Sequence, residues 1–162
     1  MFKQTTHAKL IVIASLLPIA SFGIVGAISY YEINSFLDDE KWVKHTYQVI
    51  GQADDIEKSM LDVETGSRGY AITGNPISLD VFNSGVSNIS GQLDSIRQLT
   101  ADNPDQQSNI KKLTNLVEQK IMFSSSTVSL RNNQGRDAAL QNVATLNGTN
   151  LMVQIRQVIG DM

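Results

Sequence analysis

An uncharged segment from Leu10 to Tyr31 constrains the fold of this 162-residue chain more than any other feature. It reads LIVIASLLPIASFGIVGAISYY and contains no acidic or basic residue. A helix that spans a bilayer needs about 20 consecutive apolar residues. The segment therefore predicts a transmembrane helix at residues 10–31, in contact with membrane lipid.

Charges on the two sides of this segment predict its orientation. Lys3 and Lys9 precede it, whereas several carboxylates follow it. Because basic segments stay in the cytoplasm, we expect residues 1–9 there and residues 32–162 outside the cytoplasmic (inner) membrane, in the periplasm or the extracellular space. A cleaved signal peptide is the alternative, but its apolar core of about 7 to 15 residues ends at a small-residue cleavage site. The carboxylates belong to Glu32, Asp38, Asp39 and Glu40.

Four amphipathic helices are predicted after residue 31, because apolar residues recur there at steps of three and four. The predicted spans are residues 32–72, 76–100, 104–132 and 136–162. The apolar positions are Val43, Tyr47, Ile50, Ile56, Met60 and Val63 in the first helix, Leu79, Phe82, Val86, Ile89, Leu93, Ile96 and Leu99 in the second, Ile110, Leu113, Val117, Ile121 and Val128 in the third, and Leu140, Val143, Leu146, Leu151, Ile155, Val158 and Met162 in the fourth.

Turn signals separate these helices. Gly74 suits the left-handed position after a helix, and Asn75 suits an N-cap. Asn103 repeats the cap, with Gln106 spaced for a capping box, and the sequence NNQG at 132–135 predicts a third turn. Short turns between long helices are typical of antiparallel bundles. The predicted fold is all-α, with the N-terminal transmembrane helix continuing into an up-down-up-down four-helix bundle.

Composition argues against catalytic, metal and nucleic-acid sites. The chain has no cysteine and a net charge of -3, which excludes thiolate metal sites and disfavours nucleic acid as a partner. His7 and His45 lie on opposite sides of the predicted membrane helix, so they cannot share a metal ion or a catalytic triad. We therefore expect neither an enzyme nor a cofactor. Trp42 and His45 on the first helix remain only secondary candidates, since packing and surface roles explain them better than ligand binding does.

The stretch VETGSRGYAITGNP, residues 63–76, is the main candidate for a functional site. Glu64 and Arg68 are four residues apart and so lie on one helix face, where they can pair. Gly66 and Gly69 lack side chains, which permits close approach of another backbone. The functional interpretation is a pocket in which Arg68 recognises an anion, and the structural interpretation is a tightly packed helix end with a salt bridge. The candidate residues are Glu64, Thr65, Gly66, Arg68, Gly69 and Tyr70.

The chain resembles the third class of the CHASE domains (cyclase/histidine kinase-associated sensory extracellular domains) across nearly its whole length. Four motifs in order carry the resemblance: WVKHT at 42–46, ETGSRGY at 64–70 followed by Thr73 and Gly74, DNPDQ at 102–106, and Ile155 with Arg156. The resemblance implies a homodimeric four-helix sensory bundle outside a bacterial cytoplasmic membrane, usually set between two membrane helices. It also implies a cytoplasmic output module of the histidine kinase, diguanylate cyclase or chemoreceptor type.

The first functional hypothesis is a sensory input domain that passes a helix displacement across the membrane. Since the chain ends at Met162 with neither a second membrane helix nor an output module, we expect either a longer receptor or a membrane signalling partner. The second hypothesis is a membrane-tethered helical protein that binds a protein partner and senses no small ligand. In that case the residues of the 64–70 motif serve only packing.

Overall fold

A computed structural model describes the backbone of residues 3–162 and the side chains of residues 21–33, 35, 36 and 40–162. Predictions that depend on the side chains of Lys3, His7, Lys9, Asp38 and Asp39, or of residues 10–20 in the predicted membrane helix, lie outside the described residues. The described chain forms five helices and no strand, which confirms the all-α class. They are α1 (Lys3–Thr73), α2 (Pro76–Leu99), α3 (Pro104–Asn133), α4 (Arg136–Ala144) and α5 (Asn147–Gly160).

Two compact units divide the chain, Met1–His45 and Thr46–Met162. The first unit consists of the N-terminal part of α1, whose described side chains are almost all exposed, including the edge-to-face pair Tyr30 and Tyr31. Within the described part of the chain, no helix is long and apolar enough to cross a membrane. The predicted membrane helix is therefore not confirmed.

The second unit contains the hydrophobic core. All of its helices except the short α4 contribute to one cluster of buried apolar side chains. Tyr47 and Ile50, which the sequence pattern assigned to the same stripe as Ile56 and Met60, are exposed instead. The buried members are Ala53, Ile56, Met60 and Val63 from α1, Phe82, Ile89, Leu93 and Ile96 from α2, Ile110, Leu113 and Val117 from α3, and Met152 and Ile155 from α5.

Glycines bring α1 and α2 into close contact. A Cβ atom placed on Gly66 would lie 2.4 Å from the backbone nitrogen of Phe82, and one on Gly85 would lie 2.6 Å from the carbonyl oxygen of Ser59. Ser59 therefore lies beside Gly85, whereas Gly66, which is later in α1, lies beside Phe82, which is earlier in α2. The two helices run in opposite directions. Only glycine permits this backbone separation at either position.

Local capping explains where α2 and α3 begin. Gly74 has a φ of 68°, and the side chain of Asn75 accepts a hydrogen bond of 2.9 Å from the Ile77 amide. Asn103 accepts hydrogen bonds of 3.1 Å from the amides of the second and third residues of its helix. These features confirm the predicted turn and both N-caps. The predicted capping box is wrong, because the Asn103 amide donates to the carbonyl of Thr100, and the side-chain amide of Gln106 donates to the carbonyl of Met162.

The predicted helix at 136–162 is wrong as a single element, since α4 and α5 are separated by Thr145 and Leu146. Leu146 adopts a left-handed conformation with a φ of 61° and, as the N-cap residue of α5, makes no side-chain cap hydrogen bond. Neither Thr145 nor Leu146 is a glycine or a proline, and the Asn147-Gly148 pair, a common turn signal, lies in the first turn of α5 and not at the break itself. Leu146, assigned to the apolar stripe of this helix, is 60% exposed.

We predict that Gly66→Ala and Gly85→Ala each lower the free energy of unfolding by about 1–3 kcal/mol, because the new methyl group must push α1 and α2 apart. Gly91→Ala is the matched control on α2, where nothing lies within 4 Å of the added Cβ. It should raise stability by up to about 1 kcal/mol through helix propensity. Urea unfolding followed by circular dichroism measures all three, and equal effects would contradict the close approach of the two helices.

Candidate functional site

The core changes from apolar to polar along its length. On α3 the buried positions are first Ile110, Leu113 and Val117, and then continue at steps of three and four with hydrophilic residues. On α1, the buried polar residues Glu64 and Ser67 follow Val63. We call the buried hydrophilic group at this end of the core the polar layer. Its members are Glu64, Ser67, Lys120, Ser124 and Thr127, each no more than 9% exposed.

Lys120 is the central charge of the polar layer. Lys120 is only 1% exposed, and its ammonium donates a hydrogen bond of 2.9 Å to the carbonyl oxygen of Gly148, in the first turn of α5. The same nitrogen lies 3.4 Å from Oε2 of Glu64 on α1. One side chain of α3 thus connects α1 with α5.

Burial lowers the pKa of Lys120 from its ordinary value of 10.5, because the charged ammonium loses water. The carboxylate of Glu64 opposes this effect by charge attraction and hydrogen bonding, whereas the nearby Arg68 guanidinium lowers the pKa further. Desolvation is the largest of these effects. The positive charge of Lys120 is therefore held in the core against an unfavourable solvation energy.

Arg68 shares the carboxylate of Glu64 from the rim of the polar layer. Its Nη1 lies 2.9 Å from Oε1 of Glu64, and its side chain is 53% exposed. Two cations and one carboxylate give this group a net charge of about +1. The buried space beside it, lined by hydroxyl groups as well as these charges, has a volume of about 10 Å³, which is close to the minimum for one water molecule. The site is thus closed to a larger ligand in this conformation.

The remaining residues of the predicted motif serve other neighbours. Thr65 is exposed. Gly66 packs on the α2 backbone, and Gly69 faces the side chain of Ser78, to which an added Cβ would come within 2.9 Å. The hydroxyl of Tyr70 donates a hydrogen bond of 2.6 Å to Asn132 near the end of α3. Only Glu64 and Arg68 of the predicted residues therefore contact Lys120 and its surroundings.

Trp42 and His45 lie apart from this group in the chain, in the N-terminal unit. Their rings form an edge-to-face pair with centroids 6.3 Å apart. Trp42 is 67% exposed and His45 is half-buried. The structure pairs these two secondary candidates with each other.

Lys120, Ser124, Thr127 and Gly148 were not predicted as site residues. The available signal was the spacing of α3, because steps of three and four from Val117 lead to Lys120, Ser124 and Thr127. The apolar pattern pointed instead to Ile121 and Val128, which are only half-buried. Three consecutive hydrophilic residues in a core register indicate a polar core layer. Among described residues, no three histidine or carboxylate side chains converge as metal ligands.

We predict that the free energy of unfolding of the wild type, relative to Lys120→Met, rises as the pH increases toward 10.5. The pKa of Lys120 is lower in the folded state, so the unfolded state binds more protons in the window below 10.5, and folding is favoured as protons are removed. The slope is at most about 1.4 kcal/mol per pH unit.

The control is Lys112→Met, which removes an exposed lysine from the same helix. Its difference from the wild type should stay flat over this range in urea unfolding at matched ionic strength. A flat difference for Lys120→Met as well would show that the buried amine is not desolvated.

Comparison with known proteins places the chain in a family. The solved sensor domain of histidine kinase HK9 from Rhodopseudomonas palustris shares its fold, with a TM-score of 0.65, 23% sequence identity, and coverage of 70% of this chain and 89% of that domain. No curated protein matches the chain significantly. The CHASE3 domain matches residues 39–162, which include every helix of the second unit and the whole polar layer. The chain therefore belongs to the CHASE3 domain family.

Proposed function

We propose that this chain is the extracytoplasmic sensory input domain of a bacterial transmembrane receptor. In this proposal residues 10–31 cross the cytoplasmic membrane, residues 1–9 are cytoplasmic, and the second unit is an antiparallel up-down-up-down four-helix bundle. Its output module is a histidine kinase, a diguanylate cyclase or a chemoreceptor domain. The chain acts as a homodimer and catalyses no reaction itself.

The CHASE3 match over residues 39–162 is the observation that carries this proposal. The shared fold with a histidine kinase sensor domain supports it, since that protein places the same helical arrangement at the input of a signalling enzyme. The geometry adds a physical reason. A closed polar layer that contains an internal ion pair can rearrange when a bound molecule or a force changes the position of one helix.

Helix α1 supplies the connection in this proposal. It is one continuous helix from Lys3 to Thr73, so it contains both the predicted membrane segment and the residues Glu64 and Arg68. A displacement of α1 at the polar layer would have a direct covalent path to the N-terminal segment. Any such displacement requires that the stimulus bind two conformations with different affinity.

A signalling measurement tests the function. The reading frame beyond Met162 identifies any output module, and its activity is then measured in membranes of cells that express the full-length protein. Glu64→Gln is expected to change the basal output by at least about fivefold, because a coupling free energy of about 1 kcal/mol is typical. Glu118→Gln, which alters an exposed carboxylate on α3, should leave it unchanged. Unchanged output in both, together with capture of a protein partner by the chain, would favour the tethered interaction protein.

Membrane topology gives a second test. Because the chain contains no cysteine, a thiol reagent can label it only at a cysteine that is introduced. We predict that a membrane-impermeant maleimide labels Ser90→Cys, at an exposed position on α2, in cells whose outer membrane is permeable. Thr5→Cys should be labelled only after the inner membrane is lysed. Labelling of Thr5→Cys in intact cells would reverse the proposed orientation, and equal protection of both would place the whole chain in the cytoplasm.

A further inference from the structure

The junction between α4 and α5 is a tight turn, in which the amides of Thr145 and Leu146 donate to the carbonyls of Asn142 and Val143. Leu146 precedes α5 in a left-handed conformation, which is unfavourable for a residue with a β-carbon. Leu146, the N-cap residue of α5, makes no side-chain cap hydrogen bond, and the Asn147 amide donates a long hydrogen bond of 3.4 Å to the Thr145 hydroxyl. These local bonds do not involve the Gly148 carbonyl, which is held from outside the junction.

Contacts from α3 also hold the first turn of α5. The carbonyl of Gly148 accepts the hydrogen bond from Lys120 at 2.9 Å. A Cβ on Gly148 would come within 2.6 Å of the Phe123 ring and 3.1 Å of the Lys120 amine. Gly148 is thus enclosed by two α3 side chains, and one of them is anchored 3.4 Å from Glu64 of α1.

The other contacts of α5 lie further along the helix. Met152 and Ile155 are buried in the apolar core, and Arg156 forms an ion pair of 2.8 Å with Glu57 of α1. These interactions hold the middle of α5 without involving its first turn. The segment from Thr145 to Met152 is therefore held near its start by the polar contact of Gly148 with Lys120, and at its end by apolar packing of Met152.

We propose that Lys120 is a clamp that fixes the first turn of α5 against α1, and that Thr145 and Leu146 form the hinge about which this turn moves when the clamp opens. Opening separates the Lys120 amine from the Gly148 carbonyl while Met152 and Ile155 stay in the core. The signalling role of this movement rests on the proposed function, whereas the clamp itself is a property of the fold. It deepens that function by naming the contact that a stimulus must break.

Hydrogen exchange of the whole chain in lipid nanodiscs, read by mass spectrometry, tests the clamp. Lys120→Met is expected to speed exchange in peptides that cover residues 145–154 by at least about tenfold, with α2 unchanged, because local opening then occurs without global unfolding. The exposed Lys112→Met variant should match the wild type. Faster exchange to the same degree in α1, α2 and α5 would show that Lys120 only supports the core, and would overturn the clamp.

Two further variants keep the test decisive if Lys120→Met folds poorly. The double variant Glu64→Gln with Lys120→Met leaves no unpaired carboxylate in the core, and should still show fast exchange at residues 145–154. Gly148→Ala should do the same with Lys120 intact, whereas Gly160→Ala, where nothing lies within 4 Å of the added Cβ, should not. Exchange at the wild-type rate in the folded double variant would overturn the proposal.

The clamp and the sensory function fail in different ways. Local loosening of α5 in these variants supports the clamp whatever the output of the full-length protein. If the loosening occurs and the output of the same Lys120→Met variant does not change, the clamp stands and the proposed signalling role is wrong.

Discussion

The ammonium of Lys120 imposes the strictest condition on the packing of this domain. A charged group that is removed from water needs partners of good geometry, or the fold loses several kcal/mol. Glu64 and the Gly148 carbonyl provide those partners from two other helices. Because a shift of one helical turn moves a side chain by about 5.4 Å, sliding of α1 or α5 along α3 by one turn would leave the charge unpaired. Apolar contacts alone tolerate such shifts more readily.

The 64–70 motif both provides a partner for the Lys120 ammonium and allows α1 to pack closely against α2. Its residues point to different neighbours around the helix, with Glu64 and Ser67 in the polar layer and Gly66 on α2. Tyr70 reaches the end of α3 through Asn132. The glycine and the carboxylate depend on each other, since the backbone separation that Gly66 permits also determines how α1 lies in the core. This dual use explains why the motif combines small and charged residues within two helical turns.

Local signals in the sequence were sufficient to predict much of the fold. Helices α2 and α3 begin at the predicted prolines because Asn75 and Asn103 cap them through short-range hydrogen bonds. The break at Leu146 was not predicted, because leucine rarely adopts the left-handed conformation that this residue has, and its side chain gives no sign of it. For the site, the pairing of Glu64 with Arg68 followed from helical spacing. The contacts of Lys120 could not be predicted from helical spacing, since its partners are 56 and 28 residues away in the chain.

The polar layer is difficult to explain by stability alone. Replacement of a buried ion pair by apolar residues of similar volume is often neutral, or stabilises a protein by about 1–4 kcal/mol. The core already contains apolar layers on both α1 and α3, with Met60 and Leu113 fully buried, so an apolar continuation is compatible with these helices. What an apolar layer lacks is an alternative set of partners. Glu64 is paired with Arg68 as well as with Lys120, and hydroxyl groups line the space beside Lys120. A layer whose charged groups have more than one possible partner suits a domain that must change conformation, and this favours the sensory role over a purely structural one.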